Sequence, residues 1–261
     1  MKKYLLGLIL TTLFTPNTFA AEKDANANTA FSGVYAGLHL GYLNAKDKGN
    51  ETLYSPGNPP DPTWAYQSLK PRGILYSLSA GYNYKINQRF LVGLEGELGG
   101  ANADDRTLQN YPIDDGCSNK CYPVSSKVKF SYSIRPRIGV LLNQEKTLLY
   151  VTGGLEGARI KRSFSWDTTD PIASISNNNE DNSRISKSDW QTGWSAGAGI
   201  EHLIADQVTA RLEFRHTDLG SKNIDTTSVY ASNADIASGE RHIDHMNYKD
   251  NSLRLGVVYH Y

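Results

Sequence analysis

The chain has 261 residues, with 27 basic and 27 acidic side chains and a formal net charge of zero. That balance excludes the cationic footprint of a nucleic-acid binder. Beyond the first twenty residues no run of 18 apolar residues offers a membrane-spanning helix, and 16 tyrosines and 23 glycines against two methionines point to β structure.

Residues 1–20 have the plan of an export signal. Lys2 and Lys3 give a positive start, Tyr4 to Phe14 an apolar stretch, and Thr18-Phe19-Ala20 a small-x-small cleavage site. About 11 apolar residues are too few to cross roughly 30 Å of hydrocarbon. Cleavage after Ala20 leaves 241 residues with 25 basic and 27 acidic groups. Residues 21–32, AEKDANANTAFS, form a polar lead-in, expected to be mobile in the periplasm, and 33–261 form one domain.

From Val34 onward the chain repeats one plan. Eight strands are expected, near 33–45, 73–85, 89–100, 127–142, 148–161, 188–203, 208–218 and 247–261. Val34, Ala36, Leu38, Leu40 and Tyr42 share one face of the first, opposite Tyr35, Gly37, His39 and Gly41. Phe90, Val92, Leu94 and Leu98 oppose Glu95 and Glu97 in the third, and Phe130, Tyr132, Ile134, Ile138 and Val140 oppose Arg135 and Arg137 in the fourth. The seventh sets Val208, Ala210, Leu212 and Phe214 against Thr209, Arg211, Glu213 and Arg215. Connections alternate between tight ones (Lys85 to Gln88, Asn143 to Thr147, Ile204 to Gln207) and polar ones of about 25 residues, the asymmetry of outer-membrane barrels. Cys117 and Cys121 lie close together in a polar stretch, where an exported chain is expected to form a local disulfide.

Alternation alone fits a soluble barrel with a greasy cavity or a membrane barrel with its apolar face outward. Three features favour the second. The polar face carries Glu95, Glu97, Glu156, Glu201 and Glu213 against Arg135, Arg137, Arg211, Arg215 and Arg254, an acid for every base, as expected of a salt-bridged lumen. Aromatics gather near strand ends on the apolar face: Tyr42, Tyr76, Tyr82, Tyr84, Tyr132, Trp190, Tyr259 and Tyr261. Last, Leu253, Leu255, Val257, Tyr259 and Tyr261 end the chain as an alternating strand closing on an aromatic, the form of a barrel insertion signal. Hydrocarbon demands that every backbone polar group be paired, and a closed antiparallel barrel satisfies this without helices.

The runs GVYAGLHLGY (33–42), YNYKINQRFLVGLEGEL (82–98), IRPRIGV (134–140), VTGGLEGA (151–158), TGWSAGAGIEHLI (192–204), ARLEFRHTDLG (210–220) and LRLGVVYHY (253–261) resemble the small porin-like, opacity-type outer-membrane proteins of alphaproteobacteria. The resemblance covers nearly every strand but not the loops. It implies an all-β, eight-stranded up-and-down transmembrane barrel and a surface antigen; some members bind haem.

An eight-stranded barrel is just wide enough for side chains to fill it, so a general pore is disfavoured, a narrow passive pore being the weaker reading. The leading expectation is a structural surface protein needing no cofactor. Its expected partners are outer-membrane lipid and lipopolysaccharide, the barrel-assembly machinery during insertion, and host surface molecules reached by the loops. A second reading is a haem or metal receptor, with His242 and His245 of Arg241-His242-Ile243-Asp244-His245 as ligands. An enzyme is the third: His216 stands beside Thr217 and Asp218, and His39 faces inward, yet no nucleophile motif accompanies them. His202 and His260, near the inner mouth, need no special role.

Overall fold

The computed structural model describes residues 30–65, 69–109, 122–165, 184–230 and 233–261. The signal sequence, most of the lead-in, and Cys117 and Cys121 lie outside the described residues.

Eight antiparallel strands close a ring: β1 (Gly33–Tyr54), β3 (Arg72–Lys85), β4 (Phe90–Gln109), β5 (Tyr122–Leu142), β6 (Thr147–Ser165), β7 (Arg184–Ala205), β8 (Val208–Asp225) and β9 (Arg241–His260). Each pairs with its successor, and β9 returns to β1 in register from Tyr35↔His260 to Tyr54↔Arg241. A short strand, β2 (Asp61–Ala65), pairs only with the far end of β1. Two short helices, α1 (Thr227–Tyr230) and α2 (Asn233–Ala237), occupy the β8–β9 connection. Among the described residues no helix is long and apolar enough to cross a membrane, and at membrane depth closure of the ring removes the unpaired sheet edges.

The inner ends of the strands match the sequence expectation, because tight turns fix them. Asn143, Gln144 and Glu145 take positive φ of 51°, 53° and 65° to reverse the chain between β5 and β6. The outer ends run further than expected. β1 continues to Tyr54 rather than about 45, β8 to Asp225 rather than 218, and β9 starts at Arg241 rather than 247. A tilted strand crosses a bilayer in about 9–11 residues, so strands of 18 to 22 residues project well past it.

The faces explain the projection. At the inner level Leu38, Leu78, Leu155 and Leu255 point outward with about three-fifths of their surface uncovered, in a band with Ile74, Leu94, Ile134, Ile138, Val151 and Phe214. A continuous apolar belt of this size is unstable against water and suits acyl chains. Above it the pattern inverts. Leu43, Ala45, Leu75, Ala103, Val128, Ile160, Leu219 and Tyr248 turn inward as a packed layer, while Asn44, Lys46, Arg159 and Lys161 turn outward. A second apolar layer of Leu69, Val124, Phe164, Ile224 and Met246 lies higher still. The lower portion is thus a membrane barrel and the upper portion a water-soluble one, built on the same strands.

The inner mouth is closed by Phe31, Leu91, Leu141, Leu148 and Tyr150. Phe31 belongs to the stretch expected to be a mobile lead-in. It is fully buried, and its carbonyl accepts a hydrogen bond from Asn83 Nδ2 at 2.8 Å, so the lead-in ends inside the barrel.

Candidate functional site

Period two sends the odd residues of β8 and the even residues of β9 into the lumen at bilayer depth, where their charges meet those of β4, β5, β6 and β7. All ten acidic and arginine side chains proposed from the sequence are buried there, and each forms an ion pair. Arg135 Nη2 lies 2.8 Å from Glu95 and 3.2 Å from Glu97, and its Nη1 lies 3.1 Å from Glu213. Arg211 bridges Glu95 at 2.5 Å and Glu201 at 2.7 Å, and Arg137 reaches Glu201 at 2.9 Å. Arg215 joins Glu97 at 2.8 Å, Glu213 at 2.6 Å and, more distantly, Glu156 at 3.7 Å, while Arg254 contacts Glu97. Burial of this much charge is tolerated only because each group meets opposite charge.

Two tyrosines complete the network. Tyr35 donates to Glu95 at 3.0 Å and Tyr150 to Glu213 at 2.7 Å, and the Arg137 guanidinium sits 4.6 Å and 5.0 Å from their ring centres. Each ring crosses over a glycine directly opposite on the next strand, Tyr35 over Gly81 and Tyr150 over Gly199. A β-carbon at either glycine would stand about 2.5 Å from the ring, so only glycine leaves room there.

Higher up, Arg162 grips Asp47 with two bonds of 2.7 and 2.9 Å and also donates to Gln191 at 2.7 Å. Sequence reasoning missed this pair because Asp47 fell past the expected end of β1. The signal was the odd-numbered series Leu43, Ala45, Asp47, which continues the inward face. At the outer rim the inward Glu51 and Asp244 stand in direct register, and His242 Nδ1 meets Glu51 while its Nε2 lies 2.9 Å from Glu240. Burial pushes the His242 imidazole down, but the hydrogen bonds it donates to Glu51 and Glu240 outweigh this and raise it above its ordinary value.

The haem or metal pairing of His242 with His245 is corrected by the fold. Arg241–His245 is strand, so a separation of three places the two rings on opposite faces. His242 points into the mouth, and His245 pairs outside with Asn223 at 2.7 Å. Among the described residues no cluster of three or more His, Cys, Asp or Glu side chains suits a metal ion. The catalytic candidates do not converge either. Thr217 is buried inside, whereas His216 lies outside at 2.9 Å from Asn251 and Asp218 pairs with Lys249 at 2.8 Å. His39 is inside, 2.8 Å from Ser79. His260 packs against Phe31 and Tyr35 near Glu201, and His202 lies outside, 2.9 Å from Thr147. Leu253, Leu255, Val257, Tyr259 and Tyr261 all face outward.

Two cavities stand out among the described residues. A cavity lined by Leu43, Ser77, Glu156, Tyr248, Asp250 and Arg254 has a volume of about 20 Å³. A larger cleft of about 480 Å³, bounded by Tyr54, Asn223, Asp225, Arg241 and Ile243, opens on the outside wall near the rim.

Comparison with known proteins agrees with this architecture. The chain is 28% identical over 204 residues to the 25 kDa outer-membrane immunogenic protein of Brucella abortus, covering 78% of this chain and 73% of that one. It is 26% identical to the 31 kDa outer-membrane immunogenic protein of Brucella melitensis, with 86% and 90% covered. The 22 kDa outer membrane protein of Rhizobium leguminosarum is 30% identical, with 68% and 61% covered. Among solved structures, OprG of Pseudomonas aeruginosa aligns at 10% identity with a TM-score of 0.46, covering 88% of this chain and 97% of that one. Ail, the attachment invasion locus protein of Yersinia pestis, aligns at 15% identity with a TM-score of 0.38, covering 88% and 99%. Residues 7–261 match the family described as outer membrane protein beta-barrel domain, and the chain belongs to that family of outer-membrane proteins.

Proposed function

We propose that this chain is a closed structural barrel of the outer membrane that carries its loops beyond the lipid as a surface antigen, neither conducting solutes nor catalysing a reaction. The observation that carries this reading is the filled interior. Among the described residues, ionic and apolar layers alternate from Phe31 to the outer rim, which supports a lumen filled by side chains. The strand ends project past the lipid, a place from which connecting segments would meet host molecules and antibodies; the relatives named as immunogenic proteins fit that role. The outward-facing Leu253, Leu255, Val257, Tyr259 and Tyr261 would be read by the barrel-assembly machinery during insertion.

Single-channel recording of the protein in planar bilayers tests this directly. The expected trace is flat; steady, large, reproducible steps would remove the closed-scaffold reading. A deletion strain is expected to show increased envelope sensitivity to detergents, with haem use unchanged.

A further inference from the structure

Just above the apolar belt, the outer wall of β5 and β6 concentrates positive charge. Lys127 and Lys161 are in direct cross-strand register and both point outward. Like charges so placed lie roughly 5 Å apart at their β-carbons and repel. Lys129 is the extra residue of a bulge, where β5 has one more residue than β6 between Val128 and Phe130. The bulge leaves Lys129 and Phe130 both exposed, so a lysine that strict alternation would bury stands outside instead. Arg159 completes the group, opposite Phe130 on one side and Trp190 on the other.

Among the described residues counter-charge is scarce. Lys127 has Asp104 at 3.9 Å and donates to Asn102 Oδ1 at 3.3 Å, and Arg159 donates to Ser188 at 3.0 Å. Among the described residues Lys129, Arg159 and Lys161 form no ion pair. The comparable pair on the other side of the barrel, Lys46 opposite Lys249, is relieved by Asp218 at 2.8 Å from Lys249. Beside and beneath the β5–β6 group, Trp190 meets Phe130 edge to face and Tyr132 at a tilt, with ring centres 5.8 and 5.6 Å apart, at the height where aromatic belts meet headgroups.

We propose that Lys127, Lys129, Arg159 and Lys161 form a docking site for the phosphorylated headgroup of an outer-leaflet lipid, seated above the Phe130–Tyr132–Trp190 shelf. The arginine fork and lysine ammonium groups match phosphate oxygens, and the rings match the glycan–acyl junction below. The position selects a lipid over a dissolved anion, because cations and acyl-facing belt are continuous on one wall. An anionic lipid here also relieves the Lys127–Lys161 repulsion. The inference rests on the barrel reading and gives it a specific lipid partner.

The test uses the full mature chain in phosphatidylcholine nanodiscs doped with bisphosphorylated lipid A, counting retained lipid A by native mass spectrometry. Lys127→Gln with Lys161→Gln is expected to lower retention about tenfold, since each basic group near an anionic surface contributes a several-fold effect. The charge-matched inner-rim variant, Arg89→Gln with Lys146→Gln, is expected to retain lipid A like the wild type. In neutral detergent the Lys127/Lys161 variant is expected to unfold no earlier than wild type, which separates lost lipid from lost fold. Unchanged retention in that variant would overturn the site, as would equal loss in the inner-rim control or equal retention of dephosphorylated lipid A. Displacement by millimolar inorganic phosphate would also overturn it, by identifying a free-anion site. Failure of wild-type protein to enter pure phosphatidylcholine discs as a heat-modifiable barrel is a separate result, and it would count against the barrel itself.

Discussion

The lower and upper parts of this barrel are built on largely the same strands, yet bury opposite chemistries. At bilayer depth Arg135, Arg137, Arg211 and Arg215 fill the lumen while leucines face out; above it Val128, Ile160 and Phe164 fill the lumen while Arg159 and Lys161 face out. Strand geometry cannot account for the switch, because the pairing is continuous through both regions along β6 and β9. The surrounding medium accounts for it. Facing lipid, apolar groups gain nothing by turning inward, and charges must find partners inside. Facing water, the hydrophobic effect drives apolar side chains into the lumen. β6 shows this within one strand: its even residues run Glu156, Ala158, Ile160, and its odd residues Leu155, Gly157, Arg159.

If the lower layer is held by ion pairing and the upper by packing, substitutions in the two should fail differently. Arg135→Leu removes the cation shared by Glu95, Glu97 and Glu213. Leaving buried carboxylates short of a partner costs about 3–5 kcal/mol, read as a lower midpoint of denaturant unfolding in micelles. A loss under 1 kcal/mol would show that water screens the layer. Ile160→Ala, in the upper layer, is expected to cost about 2–4 kcal/mol through lost burial and a residual cavity. Its damage should appear as faster amide exchange in the projecting strand ends, with exchange in the membrane-depth segments unchanged. Uniform loosening of the whole barrel would mean that the two regions are one cooperative unit.

What the sequence disclosed follows the same division. The membrane-depth strands were legible because lipid and a charged lumen impose a strict period of two, as in Leu212 and Phe214 against Arg211, Glu213 and Arg215. The ten lumen charges could be named from that parity alone. The upper strands were not legible as strands because their polar outer face, Asn44-x-Lys46-x-Lys48, has the composition of a loop. The inversion at Tyr42–Leu43 breaks a pattern followed with fixed facing, and so Asp47, Glu51 and the true placement of His242 were lost. Bulges hid the rest. At Lys129 and near Gly220 an extra residue resets the parity, and no periodicity count across them holds one phase.

The inner edge offers a smaller test. Gln144 holds φ of 53° in the β5–β6 turn, a region that costs an L-residue about 1–2 kcal/mol. Gln144→Gly is expected to raise stability by up to about 1 kcal/mol, the relief being partly offset by the greater freedom of glycine in the unfolded chain. A decrease would mean that the glutamine side chain holds the turn.

The smallest effect is expected at the outer rim and depends on pH. His242 is held above its ordinary imidazole value in the folded protein, so folding favours its protonated form. Its contribution is therefore complete below the unfolded value of about 6.5 and is lost as pH rises through the raised folded value. Charged His242 strengthens its tie to Glu51 across the β1–β9 seam, and neutral His242 weakens it. Amide exchange at Glu51–Leu53 and His242–Asp244, corrected for the intrinsic pH dependence of exchange, should accelerate over that interval, while exchange at Leu38–Leu40 follows the intrinsic rate alone. In His242→Gln the rim should exchange rapidly at every pH. If the wild-type rim kept constant protection across the interval, the seam would be secured by its backbone ladder and by the Thr226 and Thr227 contacts to the His242 carbonyl. The upper barrel would then hold its closure through packing, the ladder and the Arg162–Asp47 pair without His242, in contrast to the extended ionic layer below.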